Sequence, residues 1–121
     1  MDNELAILAM AALAQNTRLA AFKILVKQEP DGLPAGDLAR ILEVPQNTLS
    51  AHLSVLARAD LVTSERRSRT IVYRANLQTF QSIALFLLQD CCGGRPDICA
   101  PVLSSLKACD TTKSKKEKSR A

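Results

Sequence analysis

The stretch DCCGGRPDIC, residues 90–99, holds the densest chemistry in the sequence, with Cys91, Cys92 and Cys99 inside ten residues. Thiolates are soft ligands that select soft metals and zinc over hard cations. A vicinal pair with a third thiol also suits reversible oxidation or persulfide chemistry. Gly93 and Gly94 permit the sharp reversal that would return Cys99 to the pair. A structural zinc wants four ligands and would have to recruit Cys109 from ten residues further on. Buried, inert cysteines are the plainer alternative. The sole histidine, His52, sits between Leu49 and Leu53 with no second histidine to share a metal. It reads as a packing or phosphate-contacting residue rather than a ligand.

These thiols need a scaffold, and the chain is long enough for one modest core: 121 residues, 47% hydrophobic and 23% charged. Aromatic content is only 3%, so the core is built from Leu, Ile, Val and Ala, a mix that favours helices. The net charge of +4 is unevenly placed. Residues 110–121, DTTKSKKEKSRA, carry five basic and two acidic side chains, which leaves the body at +1. That basic tail reads as solvated and disordered, and residues 1–109 as the folded domain with its cysteine-rich segment at 90–109. The apolar run ELAILAMAALAQ is preceded by acidic residues and is too short to span a membrane, so it reads as a helix rather than an export signal. A cytoplasmic, reducing setting follows, where thiols bind metals or do redox chemistry rather than form structural disulfides.

Leu5, Leu8, Ala12 and Leu13 recur at helical spacing and predict a first helix from about Asn3 to Ala14. Asn16 and Thr17 are candidate N-caps for a second helix, RLAAFKILVKQ. EPDGLP is a loop by its Pro and Gly content. AGDLARIL is a short third helix, EVP a tight turn and QNTLSAHLSVLARA a fourth helix. The period then changes: LVTSER and TIVYRA are β-type runs joined by RSR, a hairpin with a basic tip. A last helix, LQTFQSIALFLLQD, has Phe80, Ile83, Ala84, Leu87 and Leu88 on its apolar side and is stopped by Gly93, Gly94 and Pro96. The predicted class is α+β and mostly helical: a winged helix-turn-helix with four helices, a hairpin wing and a C-terminal helix.

On the fourth helix Leu49, Leu53 and Leu56 share one face, and at about 100° per residue Asn47, Ala51, Ser54 and Arg58 fall opposite, with Ser50 at the flank. A small, polar outward face can enter a major groove and contact base edges or phosphates. The expected DNA-contacting set is Gln46, Asn47, Thr48, Ser50, Ala51, His52 and Ser54, with Arg67 and Arg69 of the wing reaching phosphates or the minor groove.

The segments ALAQNTRLAAFKIL, LPAGDLARILEVPQNTLSAHLSVLARADLV and RTIVYRAN together resemble the ArsR/SmtB family of metal- and metalloid-responsive repressors, over roughly residues 9–92. The S-x-H-L-x-x-L-x-x-A-x-L-V pattern from Ser50 to Val62 is fairly specific to that family. Pro45 departs from it, since the family often has Ser or Thr near there; proline suits a first helical turn, so the fold stands while sequence preference is open. The resemblance implies a homodimer, paired through its first and last helices, that binds double-stranded operator DNA and is released by an effector. The first and last helices are also too apolar for a monomer of this size to bury completely.

The family places effector sites in several positions. PAGDLARIL has no cysteine and LQTFQSIALFLLQD no histidine, which leaves the cluster after the last helix. Trivalent arsenic, as arsenite, and trivalent antimony take three thiolates in a trigonal pyramid. Cys91, Cys92 and Cys99 match that count, and similar arsenic repressors carry a comparable C-terminal triplet. Redox or persulfide sensing and another soft metal such as cadmium or zinc are the alternatives. An enzyme is not expected: catalytic thiols sit where a helix N-terminus lowers their pKa, whereas Cys91 and Cys92 lie at a helix C-terminus.

Overall fold

The computed structural model describes residues 1–91, Arg95, 97–98, 100–102 and 104–105. The elements run α1 (Asn3–Leu13), α2 (Asn16–Lys27), β1 (Leu33–Pro34), α3 (Ala35–Leu42), α4 (Gln46–Arg58), β2 (Val62–Arg67), β3 (Thr70–Ala75) and α5 (Leu77–Phe86), and a π-helical turn continues α5 over Leu87–Cys91. The predicted helices and hairpin are all present. The loop read into EPDGLP contains a strand that sequence pattern did not reveal. Leu33 and Pro34 pair antiparallel with Tyr73 and Val72, giving a three-stranded sheet in the order β1–β3–β2. Two residues are too few to carry a period of two, which is why β1 is illegible in sequence.

Caps and turns explain where the helices stop. Asp2 caps α1 by accepting from the Leu5 N–H at 2.9 Å. The N-cap of α2 is Gln15 rather than Asn16 or Thr17, its side-chain oxygen accepting from the Arg18 N–H at 2.9 Å. Both helices of the helix-turn-helix end in the same way. After α3 the Val44 N–H reaches the Ala39 carbonyl at 3.1 Å and Glu43 N–H the Arg40 carbonyl at 3.2 Å, with Glu43 at φ 57°. After α4 the Leu61 N–H reaches the Leu56 carbonyl at 2.9 Å and Asp60 N–H the Ala57 carbonyl at 3.0 Å, with Asp60 at φ 63°. This is the Schellman pattern, here with acidic residues in the left-handed position that glycine usually fills. The Thr79 hydroxyl, buried in α5, donates to the Asp60 carboxylate at 3.3 Å and ties the end of α4 to the start of α5.

The core is aliphatic, with Leu25, Leu38, Leu49, Leu53, Leu56 and Leu61 fully buried. Phe22 joins them, and its ring meets that of Phe80 at a centroid distance of 5.9 Å. Helix α1 turns an alanine stripe inward, Ala6, Ala9 and Ala12, and packs on α2 and α4. Its leucine repeat gives the helix but not the buried face, since Leu5 and Leu8 are exposed. The chain divides into two units, Met1–Ile83 and Ala84–Ala121. In the second unit residues 97–98, 100–102 and 104–105 are helical, where the sequence showed no helix, and Arg95 pairs with Asp97 at 2.7 Å. Among the described residues no single helix is long and apolar enough to cross a membrane.

Candidate nucleic-acid interface

Helix α4 is anchored by its leucines and presents the rest. Leu49, Leu53 and Leu56 are fully buried, while Gln46, Asn47, Thr48, Ser50, Ala51 and Ser54 are exposed. Pro45 is the N-cap, with φ −61° and ψ 145°, and makes no side-chain capping bond. Instead the side-chain Oδ1 of Asn47 accepts from the Thr48 N–H at 2.9 Å. No carboxylate lies on α4, and Arg58 occupies its last turn. A polyanion therefore meets no like charge along this face, and the positive end of the helix dipole lies at Gln46.

The wing is a two-residue hairpin. Arg67 pairs with Thr70 across Ser68 and Arg69, and Ser68 takes φ 58°. The tip separates two arginines that sequence treats alike. Arg67 turns back: its guanidinium donates to the Glu65 carboxylate at 3.2 Å and to the Asp31 carbonyl at 3.3 Å. Arg69 instead lines a groove of about 430 Å³ with Gln46 and Ser50 of α4, Gly36 of α3 and Ile71 of the wing. The fold thus brings Gln46, Ser50 and Arg69 together and draws Arg67 away from them.

The wing's base is braced by residues to which the sequence reading gave no role. Arg74 on β3 makes a two-pronged pair with Glu29, at 3.2 Å from Nε and 2.8 Å from Nη2. The hydrogen bond to Glu29, and then its charge, holds the Arg74 guanidinium above the usual arginine pKa. Gly32 sits at φ +74°, and a Cβ there would lie 2.5 Å from the Tyr73 carbonyl oxygen. Its place in EPDGLP was the available signal; the pairing with β3 was not. Arg18 carries no local signal of its role either. Its Nε donates to the Ala12 carbonyl at 2.6 Å, and its Nη1 lies 3.2 Å from Nδ1 of the half-buried His52.

Cys91 ends the π-helical turn. Its side chain, together with Cys92, Cys99 and Cys109, lies outside the described residues, as do Gly93, Gly94, Pro96 and the basic tail. Among the described residues no three His, Cys, Asp or Glu side chains gather closely enough to hold a metal.

Comparison with known proteins agrees with this architecture. Residues 13–65 match a family model described as a helix-turn-helix domain. The nodulation protein NolR of Rhizobium meliloti is 36% identical over 75 residues, which is 62% of this chain; the chain spans only 59% of that relative's length. An ArsR-like transcriptional regulator from Rhodococcus sp. RHA1 superposes with a TM-score of 0.65 at 25% identity, over 85% of this chain and 92% of that one. The homodimeric winged helix-turn-helix DNA-binding domain Mb0332 of Mycobacterium bovis superposes with a TM-score of 0.60 at 23% identity, over 68% of this chain and 74% of that one. The chain has the winged helix-turn-helix fold.

Proposed function

We propose, from the premise that residues 13–65 form a helix-turn-helix domain inside a winged fold, that the protein is a DNA-binding transcriptional regulator acting as a homodimer. The observation that carries this reading is the joint surface of α4 and the wing: a carboxylate-free helix face beside Arg69, with Gln46 and Ser50 bordering the same groove. Asn47, Ser50 and Ser54 read base edges or phosphates, and Arg69 follows the backbone. Reading DNA in this way requires no covalent chemistry, and no enzymatic activity is part of the proposal.

The finer reading is that trivalent arsenic, as arsenite, or antimony in its place, releases the repressor from its operator by binding Cys91, Cys92 and Cys99. Its support is the donor set: three clustered thiols suit a thiophilic ion that takes three ligands. The coupling is reciprocal, so operator DNA weakens arsenite binding by the factor by which arsenite weakens DNA binding, typically about 1–3 kcal/mol.

One titration tests both levels. A duplex selected from a random pool is bound by the parent protein, then challenged with arsenite, antimonite, zinc, cadmium and peroxide in parallel. Specific binding by the parent, lost in Ser50→Glu with its fold intact, is expected. Arsenite releases the parent, while Cys91→Ser, Cys92→Ser and Cys99→Ser each hold DNA and Cys109→Ser behaves as the parent. Release by peroxide and not by arsenite would replace the metalloid reading with redox sensing and leave the DNA reading standing.

A further inference from the structure

Arg18 joins two elements and, through His52, acts on the exposed helix. It is half-buried in the first turn of α2. One edge of its guanidinium donates to the Ala12 carbonyl at the end of α1, and Nη1 lies 3.2 Å from His52 Nδ1. Arginine carries donors only and stays protonated in proteins, so this contact requires a lone pair on Nδ1. The ring proton is then on Nε2. A helical step of about 100° places His52 between the buried row, Leu49 and Leu53, and the exposed row, Asn47 and Ala51. A residue at that flank lies beside the groove rim, where the DNA backbone runs, rather than over the base edges.

We infer that Arg18 is a positioning residue for DNA contact: it locks His52 as the Nε2–H tautomer, so that the ring offers one donor from the flank of α4 to a backbone phosphate oxygen. The inference rests on the DNA-binding reading proposed above. Without Arg18 the imidazole is free to exchange tautomers, and in the other one Nε2 presents a lone pair to an anion. The bond to the Ala12 carbonyl fixes the guanidinium from its second edge, so the ring is held by a group that is itself held.

The test starts with the parent protein and needs no variant. The ¹⁵N shifts of the His52 imidazole should report Nε2–H, and a proton on Nδ1 overturns the inference. Arg18→Met should bring mixed tautomers. His52→Ala should weaken duplex binding about tenfold and Arg18→Met only about twofold, since a tautomer mixture keeps part of the donor, alike on matched and mismatched sites. The double variant should bind no worse than His52→Ala alone, because without the ring Arg18 has nothing left to position. The salt slope should stay that of the parent in Arg18→Met, since Arg18 neutralises no phosphate itself; a slope smaller by one unit shows a direct phosphate contact and overturns the positioning role. Losses that multiply in the double variant overturn it as well. A parent protein that binds no duplex overturns the DNA reading and this inference with it, whereas binding with uncoupled losses overturns the inference alone.

Discussion

At the scale of single residues, the wing separates two arginines that spacing alone makes equivalent. Arg67 spends its donors on Glu65 and the Asp31 carbonyl, and Arg69 borders the groove beside Gln46 and Ser50. Exposed ion pairs are worth little, so the Arg67 pair steadies the strand more than it stabilises the fold. A phosphate contact, by contrast, releases counterions and lowers the logarithmic salt slope by about 0.9 per contact in duplex DNA. Arg69→Ala should therefore weaken binding to all sequences and reduce the slope by about one unit. Arg67→Ala should leave the slope at the parent value. Binding isotherms over a salt series measure both, and equal slopes in the two variants would return the arginines to the equivalence that their sequence spacing suggests.

At the scale of elements, the helices were legible because their apolar spacing is imposed by a core. Leu49, Leu53 and Leu56 are buried as their period required, and AGDLARIL is a helix from end to end. What escaped was set by long-range partners. β1 exists only because β3 pairs with it, and Gly32 is confined by Tyr73 and Val72, forty residues away in the chain. The candidate contact set on α4 was readable from the same helical period. Arg18 as its neighbour was not, because nothing local links α2 to His52. Two glycines make the distinction measurable. Gly32→Ala forces a side chain into the left-handed region and against a carbonyl, at a cost of about 2–4 kcal/mol. Gly36→Ala, inside α3, meets Gln46 Oε1 at an ordinary 3.5 Å and should instead stabilise by about 0.4–1 kcal/mol. Thermal melts should move in opposite directions for the two variants. A neutral Gly32→Ala would mean that the loop before β1 does not position the wing.

At the scale of the whole molecule, the unfinished business is apolar. Ile7 is 63% exposed, Leu8 46% and Phe80 48%, with Leu5 and Leu77 also in solvent. Single exposed leucines are ordinary, but a set concentrated on two helices marks an interaction surface. Leu5 lines a cavity with Gln78 and Ser82, so the start of α1 lies beside the first turns of α5. Helix α1 uses alanines to approach α2 and α4, which leaves its larger side chains free to meet something else. A second copy is the occupant that suits the proposed regulator, because a two-fold axis places two α4 helices on two half-sites. Ile7→Glu and Leu8→Glu should each give a monomer in sedimentation, since a carboxylate would be buried without a partner. Their melting should remain cooperative because neither side chain contributes to the core. Binding to one half-site should change little, while binding to a duplex with two should fall by about a hundredfold or more, as the second contact ceases to be intramolecular. A dimer that survives both substitutions would move the interface elsewhere. Loss of half-site binding as well would show that pairing shapes α4 itself, and the two half-sites would then be read by one structure rather than by two independent ones.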